Sequence, residues 1–261
     1  MIPQVKYQIS FFDQKGLSEF EITRPHGTGR LYEFLIAYKM RAMARLVGAS
    51  FSGQKLLNVC CGSGMEAEYF AKLGAEVFVL DLSSVALQGA EKRARRFGFS
   101  LRTIAGDAES LPFKSENFDF AFVHDGLHHL SQPEKAIKEM VRVARKGILF
   151  TEPADAFVTR IAVKLGIASD FEEAENFVYR FSTTKLKVLF SRLGLNHMRF
   201  KRYGMWYSHY PPRWFRVFES TFMYILFKIF FFLGNVILSQ FGNKLAVIAW
   251  KNDDQNKIKY R

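Results

Sequence analysis

From Gln54 to Pro153 the chain alternates short runs of aliphatic, aromatic and β-branched residues with stretches whose apolar positions recur every three or four residues. The first pattern suits buried strands and the second amphipathic helices, so the alternation predicts βαβ units on a parallel sheet. "KLLNVC" reads as a first strand and "MEAEYFAKLG" as the helix after it, ending at Gly74. "AEVFVLD" follows as strand two, "SSVALQGAEKRARRFG" as a helix capped by Ser83 or Ser84, and "SLRTIAGD" as strand three. "FDFAFVHD" is strand four, "PEKAIKEMVRVARKG" a helix with proline in its first turn, and "GILFTEP" strand five. Beyond Pro153 two helical stretches, "ADAFVTRIAVKLG" and "DFEEAENFVYRF", precede "STTKLKVLFSRLGLNHMRFKRYG", a capped helix leading into strand six; "NKLAVIAWK" supplies strand seven.

The segments outside this frame divide the chain into an N-terminal helical cap (1–50), a core (51–202), an apolar helical insertion (203–242) and a last core strand with a basic tail (243–261). The insertion contains "STFMYILFKIFFFLGNVILSQF", with a single charge, which raises the question of a membrane span. Strand seven must return to the same sheet, and one crossing would leave it on the wrong side of the bilayer. Turned as a helix, the segment places Arg216, Ser220, Tyr224, Lys228, Asn235 and Ser239 on one narrow stripe, with Phe and Ile around the rest. Such a wide apolar face suits three uses. It can cover the core and an acceptor pocket; it can lie on a membrane surface, with "PPRWFR" and the "KIKYR" tail against anionic head groups; or it can meet a partner, a second copy included.

Composition narrows the class. With 261 residues and 49% hydrophobic content the chain can bury a full core, which excludes a disordered or fibrous protein. The net charge of +12 is uneven, with ten Lys or Arg against three Asp or Glu from Phe200 onward. That bias suits nucleic acid, anionic lipid or phosphorylated substrates without choosing among them. Cys60 and Cys61, the only cysteines, are chain neighbours, so neither an ordinary bridge nor a four-thiolate zinc site is available, and a reducing compartment fits best. The first twenty residues lack the basic head and apolar run of a signal peptide. The expected location is the cytoplasm, peripheral on the inner face of the membrane if the apolar helix meets lipid.

The chemistry concentrates in "LLNVCCGSGMEAEYF". A glycine turn between a first strand and a first helix brings bare backbone N–H groups and a helix N-terminus toward a ligand, and Gly62 and Gly64 have no Cβ to block the approach. Asp81 ends strand two, where an acid can accept both ribose hydroxyls of an adenosine cofactor. Asp107 ends strand three, where its side chain and the following N–H can read an adenine edge. Either acid alone could equally be a helix cap or a solvated loop residue. A dinucleotide-dependent dehydrogenase shares the strand, turn and acid, but C-G-S-G-M-E lacks the third glycine of that motif.

Four ordered blocks, "LLNVCCGSG", "VLDLS", "GDAESLPFKSENFDFAFVHDGLHHL" and "PEKAIKEMVRVARKGILFTEP", resemble the class I S-adenosylmethionine-dependent methyltransferases, within them the quinone-biosynthesis group. The resemblance implies an α/β fold: a Rossmann-like seven-stranded, mostly parallel sheet with helices on both faces, here with the N-terminal helical cap and a helical insertion before the last strand. It implies S-adenosyl-L-methionine as cofactor, bound by Asn58, Cys60, Gly62, Ser63, Gly64, Asp81, Leu82, Asp107, Ala108 and His124. Two positions depart from the family: Asn58 stands where an acid usually ends strand one, and Cys60 where the first turn glycine usually sits.

Methyl transfer is an in-line displacement at a sulfonium carbon, so the protein's main task is to aim and desolvate; a general base is required only when a hydroxyl or acidic C–H must lose its proton. "VHDGLHHL" offers candidates beside the expected methyl position. His128 or His129 is a candidate base, and Glu152, closing strand five, a candidate acceptor contact or base. His124, Asp125 and His128 could be grouped as metal ligands, but the step needs no metal and none is expected. A small amphiphilic or lipid-linked acceptor, such as a quinone precursor or carrier-bound saccharide, would use the apolar insertion, the basic flank and a histidine base together. An RNA acceptor is disfavoured because most aromatics are Phe in helical pattern and no nucleic-acid module is visible. A non-catalytic protein retaining the fold is the remaining alternative, suggested by Asn58 and Cys60.

Overall fold

The computed structural model describes residues 3–48, 50–166, 169–171, 177–206 and 209–251. Helices α1 (Pro3–Gly16), α2 (Glu19–Thr23) and α3 (Arg30–Val47) precede the sheet. Then follow β1 (Lys55–Val59), α4 (Met65–Lys72), β2 (Glu76–Asp81), α5 (Ser84–Phe97), β3 (Arg102–Ala105) and β4 (Phe118–His124). The chain continues through α6 (Pro133–Val143), β5 (Ala144–Pro153), α7 (Phe157–Lys164), α8 (Thr183–Arg192), β6 (His197–Tyr203), α9 (Thr221–Ile237) and β7 (Lys244–Trp250).

The seven strands form one sheet in the order β3-β2-β1-β4-β5-β7-β6. Neighbours among β1 to β5 pair parallel, and β7 runs antiparallel between β5 and β6. This is the expected mostly parallel, Rossmann-like arrangement. The order reverses between β1 and β4, so the crevice for a ligand opens outside the carboxyl ends of these strands.

Two-residue alternation explains why helices cover both faces. Leu57, Val59, Val123, Ile148 and Phe150 pack with α6 and α8 through Ile137, Met140, Leu189 and Phe190. Their strand neighbours Leu56, Val79, Phe122 and Leu149 point the other way, onto Phe70 of α4 and Met43 and Val47 of α3. Ser83 caps α5 through its hydroxyl, which accepts from the Ala86 N–H at 2.9 Å.

Three local expectations change. The helix expected to reach Gly147 stops at Val143, and Ala144 already pairs with Phe118 at the start of β5. The sheet's hydrogen bonds claim "ARKG", a tertiary gain that helix propensity does not register. "DFEEAENFVYRF" shows no helix among its described residues: Phe171 and Phe177 form an isolated bridge, and 172–176 lie outside the described residues, as does the "KIKYR" tail. Most consequential is α9: of the expected polar stripe its Tyr224, Lys228 and Asn235 turn toward the protein, whereas Arg216 lies exposed on a separate 3-10 segment before the helix. Asn235 Oδ1 accepts from the Gly204 N–H at 2.7 Å, its Nδ2 donates to Gly204 O at 3.1 Å, and the Arg30 guanidinium lies 4.5 Å over the Tyr224 ring. Phe227 and Phe231 pack on Phe34 of α3, while the rest of the apolar surface points outward. Phe227 and Phe231 therefore cover part of the core, and most of the wide face does not.

Candidate functional site

The turn after β1 is built from left-handed residues, with φ of +52° at Cys60, +49° at Gly62 and +76° at Gly64. A Cβ on Gly62 would meet nothing within 4 Å, so its backbone faces open space, whereas a Cβ on Gly64 would lie 3.0 Å from Ala90 Cβ. Gly62 thus leaves room for a ligand; Gly64 lets α4 pack against α5. Asp81 closes the turn, its Oδ2 accepting from the Gly62 N–H and its Oδ1 from the Ser83 N–H, each at 3.0 Å. Burial raises the Asp81 pKa, opposed by these two N–H groups. Burial, then the Asp81 carboxylate, pushes the Cys60 and Cys61 thiols well up, so both stay protonated and neither offers a nucleophile.

A cavity of about 980 Å³ opens from this turn. Of the residues expected to bind cofactor, Cys60, Gly62, Ser63, Asp81, Leu82, Asp107, Ala108 and His124 line it. Asn58 and Gly64 do not. Asn58 is 1% exposed inside β1, where its Nδ2 donates to Val59 O and its Oδ1 has no donor among the described residues. Asp107 Oδ1 accepts from the Glu109 N–H at 2.8 Å. Gln8, Phe12 and Asp13 of α1 line the opposite side, and Asp13 accepts a hydrogen bond from the Ser83 hydroxyl. His209 and Tyr210 of the insertion also line the cavity, and the His209 ring bonds the Glu21 carboxylate of α2. The cap and the insertion therefore meet over the cleft.

The carboxyl end of β4 carries a buried charged network. His124 Nδ1 lies 2.8 Å from Glu66 Oε1 in the first turn of α4. Asp125, at φ +49°, receives Lys39 Nζ on one oxygen and Lys244 Nζ on the other, each at 2.6 Å. Burial acts to raise Asp125, but Lys244 and Lys39 overcome it and hold the carboxyl well below the usual range. Lys39 is fully buried, and the loss of hydration lowers its pKa to about 8 despite Asp125.

His128 and His129 both line the cavity, but Glu152 does not. Expected as a rim carboxylate, Glu152 is fully buried behind His128: its Oε1 accepts from the Gly126 and Leu127 N–H groups at 2.9 and 2.7 Å, and its Oε2 lies 2.6 Å from His128 Nδ1. The carboxylate can only accept, so Nδ1 carries the proton and the other ring nitrogen is the basic one. His129 packs against His128 with ring centroids 4.1 Å apart and against Phe12 at 5.4 Å. Donor atoms of Asp125, His128 and Glu152 lie within 4.8 Å of one another, the spacing of a metal site. Both Asp125 oxygens are already taken by ammonium groups, which repel a further cation, and two Glu152 contacts are backbone N–H donors.

Lys39, Lys244, Glu66 and Asp13 have no motif in the sequence. The one signal was phase: Lys39 interrupts an apolar stripe of Ile36, Met40 and Met43 on α3. A lysine at such a position is buried only if a carboxylate elsewhere in the chain meets it.

Residues 57–151 match the family model described as a methyltransferase domain. Demethylmenaquinone methyltransferase of Renibacterium salmoninarum is 37% identical over 107 residues, 41% of this chain and 43% of that protein. Ubiquinone/menaquinone biosynthesis C-methyltransferase of Idiomarina loihiensis is 29% identical over 119 residues, 42% of this chain and 47% of its own. The chain thus spans less than half the length of these relatives. Among solved structures, magnesium protoporphyrin IX methyltransferase from Synechocystis superposes with a TM-score of 0.62 at 15% identity, covering 93% of this chain and 97% of that one. A SAM-dependent methyltransferase from Thermotoga maritima gives 0.58 at 19% identity over 95% and 99%. The resemblance read from the four sequence blocks holds over residues 57–151, which match the methyltransferase-domain model, and the sheet as a whole has the fold of these solved methyltransferases.

Proposed function

We propose that the protein transfers a methyl group from S-adenosylmethionine to a small amphiphilic acceptor with a planar aromatic head, as the names of the menaquinone and ubiquinone relatives suggest. The observation that carries this reading is the His128–Glu152 pair, held at 2.6 Å against a cavity whose wall includes Phe12, His129 and Tyr210. The fit to the donor rests on the open space above Gly62 and on the Asp81 carboxylate, each of whose oxygens accepts one backbone N–H and keeps a lone pair for a ribose hydroxyl. When bound, the donor supplies an electrophilic methyl on a cationic sulfur.

The chain's residues then have separable roles. Asp81 orients the ribose, and Asp107 with the Ala108 N–H reads the adenine edge. Phe12 of α1 and Tyr210 of the insertion exclude water and stack the acceptor. With donor bound, His128 would take the proton that the acceptor's acidic C–H or O–H loses as the acceptor–methyl bond forms and the methyl–sulfur bond breaks, its electron pair staying on sulfur as a neutral thioether. The resulting imidazolium is stabilised by Glu152, which two backbone N–H groups keep from swinging away. An acceptor of this kind resides in or against a bilayer, so we place the protein at the cytoplasmic face of a membrane.

The test uses labelled donor with separated lipid, small-molecule and RNA fractions. Label should enter lipid or small molecules; label in RNA alone overturns the acceptor class. His128→Asn should slow turnover by about 10²–10⁴-fold with donor affinity unchanged. Wild-type turnover in that variant removes His128 as the base.

A further inference from the structure

We propose that α9 and the bend before it form an in-plane docking surface for an anionic lipid bilayer. The proposal rests on the location argued above but not on the chemistry of methyl transfer.

The orientation of α9 carries the argument. Its polar residues are spent on the protein side, so its outer face presents Phe222, Ile229, Phe230, Leu233, Val236 and Ile237, from 50% exposed at Ile229 to 79% at Val236. No hydrogen-bonding side chain interrupts that face, whereas a protein partner would ordinarily find polar anchors there. A hydrocarbon layer needs none.

Length and geometry favour lying flat. At 17 residues α9 spans about 25 Å, and no single helix among the described residues is long and apolar enough to cross a membrane. It meets the preceding 3-10 segment, Arg213–Glu219, at a 104° bend. That segment exposes Trp214, Arg213 and Arg216, and the Trp214 ring packs at 5.9 Å against Trp206, itself 60% exposed. Tryptophan and arginine at one end of an apolar face suit the head-group layer, with the rings at the boundary and the cations against lipid phosphates.

Along the other flank, Lys201 lies 5.6 Å over the ring of Tyr38, which packs on Phe231 and Phe232. Arg202 donates to Gln240 O at 3.2 Å just after α9 and to Asp155 O at 2.5 Å just before α7. It thereby ties α9 to a second helix with outward apolar residues, Phe157, Val158 and Ile161. Pro153 and Lys244, paired at this end of β5 and β7, line the cavity. The apolar surface and the cleft thus share one edge of the sheet, and an acceptor dissolved in the bilayer would have a short path inward.

The full chain, without donor or acceptor, is sedimented with vesicles of phosphatidylcholine alone or with one quarter phosphatidylglycerol. Binding to the anionic vesicles, weakened by 0.5 M salt, is expected, together with quenching of tryptophan emission by brominated acyl chains. The variant Phe230→Glu/Val236→Glu should bind on the order of tenfold or more weakly while its donor affinity, read by calorimetry, stays at the wild-type value. Failure of the wild type to bind anionic vesicles overturns the proposal. So does undiminished binding by the variant, or a solution dimer that the variant converts to monomer, which would make a second copy the occupant. Loss of donor binding in the wild type would instead sink the methyltransferase reading and leave the vesicle result standing.

Discussion

Two glycines at the site do opposite jobs. Gly62 faces open space at φ +49°, so Gly62→Ala should cost only the left-handed strain, about 1 kcal/mol, yet weaken donor binding at least tenfold by placing a methyl where the ligand approaches. Gly126 is the converse: a Cβ there would sit 2.7 Å from Cys60 Cβ and 2.9 Å from Val123 Cγ2. Gly126→Ala should therefore destabilise the protein by roughly 1–3 kcal/mol through overpacking. Urea denaturation and donor titration on both variants separate these effects. The glycine turn was legible because its local backbone need is written in residue type. That Cys60 itself stands at φ +52° was not, because only the finished turn imposes it.

At the scale of elements, Asp125 is the strut that joins α3, β4 and β7. Its two oxygens neutralise Lys39 and Lys244, which arrive from distant parts of the chain. Asp125→Asn would leave two buried ammoniums against a neutral amide and should cost about 3–5 kcal/mol. The pH dependence follows in sign. The folded pKa of Asp125 lies well below its unfolded value of about 3.9, so its stabilisation is present above that value and is lost as pH falls through the folded one. Lys39 works the other way. Its folded pKa of about 8 lies below the ordinary lysine value of 10.5, so below pH 8 the folded state bears the full cost of the buried charge, and that cost is relieved as pH rises from 8 to 10.5. Thermal melts should show acid destabilisation that is smaller in Asp125→Asn, and Lys39→Met should remove the alkaline contribution. The sequence hinted at this only through the phase of Lys39 on α3; its partner was not readable, since an ion pair between α3 and the residue after β4 has no local signature.

For the whole molecule, the cleft is closed by parts from both ends of the chain. α1 contributes Phe12 and Asp13, the insertion contributes Tyr210, and Arg93 of α5 fastens the cap by donating to Glu68, Ser63 O, Glu21 O and Arg24 O. Donor at a hundredfold its Kd should raise stability by about 2.7 kcal/mol and slow amide exchange across residues 7–16. Deleting residues 1–16 should leave a folded sheet with donor binding at least tenfold weaker. Unchanged exchange in α1 on donor addition would show that the helix is a bystander.

The sequence by itself determined the sheet and its ligand edge. Strands buried on both faces must be apolar throughout, turns that admit a ligand must be glycine-rich, and the acid at the end of β2 has to sit beside them; each requirement is met within a few residues. It also determined which residues of α9 share a stripe. Only the tertiary structure decided which stripe faces inward, because periodicity fixes the relative phase of side chains and leaves their absolute direction to the packing of α3 and β6. The same holds for Glu152: its place at the end of β5 was legible, but its role behind His128 depended on where the loop after β4 set the ring.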